Sequence, residues 1–131
     1  MSIPGVEVEN LEWNLEREVE DFRSIDIGLY PLSPDNNWTT GKSGFKAIQW
    51  MAVGIPYVVT PIGAATEIGE ANVTHYFANN HDEWIVTLRL LLTDAEKRRT
   101  MGQAGREYAV EHYSVSAQAD KLARVLRDAA M

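Results

Sequence analysis

Residues 25–61 read IDIGLYPLSPDNNWTTGKSGFKAIQWMAVGIPYVVTP. Ile25 to Tyr30 is an apolar run closed by Pro31, the pattern of a short buried strand. Residues 33–43 are turn formers and polar residues, hence a loop. Phe45 to Val53 is apolar on nearly every side and stops at Gly54, which predicts a buried helix with a glycine C-cap. Pro56 to Pro61 is a second buried strand. A strand, a helix and a second strand, all apolar, specify a parallel pair joined by a right-handed crossover.

The unit extends in both directions. Downstream, Ile62 to Thr66 is a tight loop, a short helix follows over about 65–70, and Thr74 to Ala78 is a third strand. The last third is helical. Asn80 with Glu83 and Thr93 with Glu96 form capping-box patterns, and Ser114 caps a final helix bearing Leu122, Val125 and Leu126 on its apolar face. Upstream, Gly5 to Glu9 alternates apolar and acidic like a half-exposed strand, and Asn14 caps an amphipathic helix over 15–23. The expectation is one α/β domain over 1–131, a Rossmann-like parallel sheet of about four strands flanked by helices. Aromatic residues 13, 50, 57, 84 and 108 fall mostly on apolar faces, which places them in the core.

Composition sets limits. The chain has 131 residues, no cysteine, 45% hydrophobic and 24% charged residues. These are globular values. Disulfides and thiolate metal sites are excluded, and the three histidines, His75, His81 and His112, have no ligand-like spacing, so no metal is expected. No apolar run approaches the roughly 20 residues that span a bilayer. The start, Met1 to Gly5, lacks the basic and apolar regions of a signal peptide, which points to a cytoplasmic protein. A net charge of −7 argues against nucleic acid as a partner.

That charge is uneven. Residues 1–30 hold eight acids and two bases, whereas residues 31–131 hold eleven acids and ten bases. Between Asp35 and Glu67 there is no acid, and Lys42 and Lys46 lie inside this window. The segment Lys42-Ser43-Gly44-Phe45-Lys46 sits where a loop enters the buried helix. Ser43 is placed to cap, and Gly44 would let an anion approach the first free N–H groups. A helix start carries about half a positive charge, so a phosphate site is expected here. The bland alternative is a capped helix with two solvated lysines. A P-loop is excluded because Asn36 stands where its first glycine is required. Gly63 and Glu67, after the second strand, form a secondary loop with further backbone donors, Glu67 reading most simply as a carboxylate at a helix start. Trp38 lies in the polar loop, where it could stack on a ligand or cover the helix end.

Taken together, these segments resemble the C-terminal, donor-binding half of group 1 (family four) glycosyltransferases of the GT-B type. The resemblance runs through Asp26 to Pro31, Gly41 to Lys46, Gln49 to Pro56, Pro61 to Gly63 with Glu67-Ile68, and the closing helices from Trp84 to Ser114. It implies a retaining, metal-independent transfer from a nucleotide-diphosphate sugar, with no cofactor beyond that donor. By the family pattern, Gly44 and Lys46 would lie at the diphosphate and Gln49 at the nucleotide ribose. Two family glutamates are replaced, by Gly41 and Gln49. Gln49 can still hydrogen-bond a hydroxyl but carries no charge. The family's acceptor-binding N-terminal domain and first two strand–helix units have no counterpart in the sequence, so the resemblance implies a partial donor domain, inactive alone and completed in cis or in trans. It also implies a bare sheet edge, costly unless covered. Either residues 6–8 pair with residues 25–30, or a homodimer covers that edge. A non-catalytic nucleotide-binding or assembly module of the same fold is the alternative function.

Overall fold

The computed structural model describes residues 3–35 and 37–131. Three parallel strands, β1 (Gly28–Tyr30), β2 (Tyr57–Val59) and β3 (His75–Phe77), lie in the order β1-β2-β3. Gly28 pairs with Tyr57, and Tyr57 with His75. Among the described residues six helices accompany them: α1 (Glu18–Arg23), α2 (Asn37–Thr40), α3 (Phe45–Val53), α4 (His81–Thr93), α5 (Ala95–Tyr113) and α6 (Val115–Ala129), with a 3-10 turn at Gly63–Thr66.

All three residues of β2 are buried. This is what a parallel sheet covered on both faces requires of its central strand. Tyr57 and Val59 point into one core with Trp50, Met51, Ile68 and Ala109, while Val58 points into a second with Ala78, Leu91 and Met101. Aromatic rings line the first core. Trp50 stacks on Tyr57 at 5.8 Å, and Tyr57 stacks on His75 at 4.8 Å. The Tyr57 hydroxyl donates to the Ile68 carbonyl at 3.3 Å, and burial raises its pKa.

Helix α5 lies on α3 through glycines. A Cβ on Gly102 would stand 2.0 Å from the Gly54 carbonyl oxygen, and one on Gly105 3.2 Å from Met51 Cγ. Arg106 Nη1 donates to the Ala52 carbonyl near the end of α3.

Several expectations are corrected. Among the described residues the sheet has three strands, and residues 5–9 form none. Val6 N donates instead to the Ile3 carbonyl at 3.1 Å, with Gly5 at φ 76°. Pro4 then Gly5 is the sequence of a type II turn, and that turn engages the Val6 amide. Residues 6–8 are not part of the ladder of β1, which pairs with β2. The first helix begins at Glu18 rather than residue 15. Asn14 Oδ1 accepts from the Glu16 and Arg17 amides and caps a preceding turn. Asp94, not Thr93, caps α5, accepting from Lys97 N at 2.9 Å. The Asn80 and Ser114 caps are as expected. Trp13, placed in the core by its sequence context, is 74% exposed, and Leu122, Val125 and Leu126 also face solvent. Among the described residues, no helix is long and apolar enough to cross a membrane.

Candidate functional site

The end of β1, the short α2 and the start of α3 enclose an open cavity of about 470 Å³. Tyr30, Asn37, Trp38, Gly41, Lys42, Ser43, Phe45 and Lys46 line it. It lies at the carboxyl end of a strand, where α/β sheets place their ligands. Four of the expected residues, Lys42, Ser43, Phe45 and Lys46, thus converge, together with Gly41.

Local chemistry explains the shape. Residues 37–40, expected as loop, wind into α2. Thr39 Oγ1 donates to the Ser33 carbonyl at 2.7 Å and Thr40 Oγ1 to the Asn37 carbonyl at 2.8 Å. Lys42 N then donates to the Thr39 carbonyl at 3.3 Å and directs the chain into the turn before α3. Gly44, not Ser43, is the N-cap of α3, with φ 70° and no side-chain cap. Ser43 instead lines the cavity. The first bond of the helix runs from Ala47 N to the Gly44 carbonyl, so the amides of Phe45 and Lys46 precede it. These are the donors a helix start leaves unspent.

Gly44 has its own structural reason. A Cβ there would stand 2.3 Å from Ile68 Cδ1, so the missing side chain makes room for Ile68. Gly63 serves the same loop junction. Its φ is 58°, and a Cβ would meet the Thr40 carbonyl oxygen at 2.5 Å. Gly63 thereby lets the second loop pack closely against α2. Glu67 is exposed and contributes to the raised pKa of Tyr113, after burial and Tyr108. Gly44, Gln49, Gly63 and Glu67 are not among the residues lining the cavity.

Gln49 is engaged elsewhere. Its Nε2 donates to Glu18 Oε1 at 2.7 Å, and Trp13 Nε1 donates to Glu18 Oε2 at 3.0 Å. No sequence spacing announces a contact between α1 and α3, so this tether escaped the sequence reading. Trp38 and Phe45 are 77% and 61% exposed at the cavity rim. Two cations and two exposed aromatic side chains beside a helix start can together hold a phosphate ester bearing a planar or apolar group. Among the described residues, no three of His, Cys, Asp or Glu cluster as a metal site would require.

No family model matches the sequence, and no curated protein matches it. Solved structures do match. One is sucrose-phosphate synthase from Thermosynechococcus elongatus, with a TM-score of 0.65 and 18% identity over 82% of this chain. The chain spans about a quarter (26%) of that protein's length. At this identity the likeness shows the fold alone, a Rossmann-like α/β layer shared with part of that synthase.

Proposed function

We propose that this chain is the nucleotide-sugar-binding part of a glycosyltransferase. The observation that carries the reading is that Lys42, Phe45 and Lys46, at the start of α3, line one cavity at the end of β1. The donor's diphosphate lies at the start of α3, neutralised by the two lysines. In transfer, the same groups stabilise the departing diphosphate without a metal. The sugar is transferred with retention to an acceptor held by a further domain, in cis or in trans. The protein acts in the cytoplasm, and residues 1–131 form one partial donor domain. Alone, the chain binds nucleotide and does not turn over.

A thermal-shift scan with UDP, GDP, ADP and their sugars tests this. Stabilisation by one base series, lost in Lys46→Glu, supports the reading, and no shift with any of them at millimolar concentration overturns it.

A second reading, a non-catalytic binding or assembly module, has its own support. Gly41 offers no side chain to the cavity, and Gln49 is held by Glu18. Nucleotide binding that never yields transfer, even after the acceptor-binding domain of a relative is supplied, would favour it.

A further inference from the structure

We propose that the Trp38 indole is the platform on which the base of the nucleotide stacks, the diphosphate lying at Lys42 and Lys46. This rests on the donor-site reading above and assigns the part of the ligand that the aromatic wall takes. The cavity has two kinds of lining. Lys42, Ser43 and Lys46 offer charge and hydrogen bonds, whereas Tyr30, Trp38 and Phe45 offer rings. Among the described residues no carboxylate lines it. Sugar hydroxyls donate hydrogen bonds, and carboxylates accept them most strongly. A wall of rings without a carboxylate suits a group recognised by its flat face, as a base is.

Of the three rings, Trp38 is the one presented to a ligand. Tyr30 is half-buried and meets Trp50 edge-on at 6.0 Å, so its ring belongs to the core. Phe45 is exposed, but its ring is smaller than the indole and it opens α3 beside the phosphate-binding residues. Trp38 is the more exposed of the two, and the backbone beneath it is held. Thr39 is buried with its hydroxyl on the Ser33 carbonyl, and the Thr40 hydroxyl closes on the Asn37 carbonyl. Gly63 lets the second loop pack closely behind this turn. The Lys42 amide donates to the Thr39 carbonyl, so ring and cation rise from one turn of chain. A large ring on a fixed backbone costs little ordering when a ligand lands on it. Gln49 offers the nucleoside no competing place at the cavity. It does not line the cavity, and its amide donates to Glu18.

Calorimetric titration of the chain and of Trp38→Leu with UDP, GDP, ADP and inorganic pyrophosphate tests this, pyrophosphate carrying the charge without a base. The tightest nucleotide should bind the parent more tightly than pyrophosphate does. Trp38→Leu should weaken that nucleotide roughly tenfold and leave pyrophosphate unchanged. Trp38→Phe keeps a ring and should recover most of the loss. Nucleotide should quench tryptophan fluorescence in the parent and not in Trp38→Leu. Equal weakening of nucleotide and pyrophosphate, or no weakening of either, overturns the proposal and leaves the donor site standing. So does a loss confined to the sugar-bearing nucleotides, which would put the sugar on the indole. If neither the nucleotides nor pyrophosphate bind the parent, the donor-site reading falls and the proposal falls with it.

Discussion

Gln49 Nε2 donates to Glu18 Oε1 at 2.7 Å, joining α3 to α1 across 31 residues of sequence. The same carboxylate accepts from Trp13 at its other oxygen. One acidic side chain thus fixes the N-terminal segment on the helix that opens at the cavity. Glu18→Ala removes both bonds from a half-exposed site and should cost about 1 kcal/mol in urea unfolding. It should also raise the fluorescence sensitivity of Trp13 to quencher. An unchanged midpoint with unchanged quenching would show that the contact holds nothing in solution.

The closeness of Gly102 to Gly54 makes α5 intolerant of a side chain at that point. A Cβ on Gly102 meets backbone at 2.0 Å, which no rotamer change relieves, so Gly102→Ala should cost about 3 kcal/mol. Gly41 is the contrast. Its nearest neighbour to a Cβ is the Trp38 carbonyl oxygen at 3.8 Å. Gly41→Ala should therefore leave stability within about 0.5 kcal/mol of the parent. Chemical denaturation of the two variants separates these outcomes.

Acid should weaken the protein through His75. The ring is buried between Tyr57 and Phe77, with Nδ1 2.9 Å from Thr74 Oγ1 and no partner for Nε2. Burial lowers its pKa to about 4 from the usual 6.5. The unfolded chain therefore binds the proton more readily than the folded one. Stability contributed by the neutral ring is whole above pH 6.5 and is lost progressively as pH falls to about 4. The full loss is about 3 kcal/mol at most. The thermal midpoint should fall over this window, and His75→Gln should flatten that part of the profile. An equal slope in the variant would assign the acid sensitivity to the carboxylates.

Most of the fold was legible because its signals are local. The unbroken apolar run at 57–59 can only be a strand buried on both faces, and the structure buries all three residues. Asn80 and Ser114 announce their helices by side-chain chemistry that acts within three residues. The Pro4-Gly5 turn was equally local, but the alternation of Gly5 to Glu9 masked it. Of the candidate site, Lys42, Ser43, Phe45 and Lys46 were singled out because helix starts and charge gaps are sequence features, and these four line one cavity. The departures came from long-range packing. Gly44 is fixed by Ile68, Gly63 by Thr40 and Gln49 by Glu18, contacts that no periodicity encodes. Trp13 and α6 depart for another reason. Their apolar periodicity is genuine, yet these side chains stay exposed among the described residues.

If Lys42 and Lys46 act as a pair on one anion, their replacements should not add independently. Each single change to Met removes one cation from the cavity. The double variant should lose less nucleotide affinity than the sum of the two single losses, a coupling of about 1 kcal/mol in a double-mutant cycle. Strict additivity would place the two lysines on separate ligand groups.

Calorimetric titration of the chain with UDP, GDP and ADP tests the central claim most directly. The account predicts saturable one-to-one binding of at least one of them. Lys46→Glu should weaken it at least tenfold, or about 1.4 kcal/mol, while leaving the unfolding midpoint unchanged. The absence of binding by all three at millimolar concentration, or binding indifferent to Lys46→Glu, would contradict it.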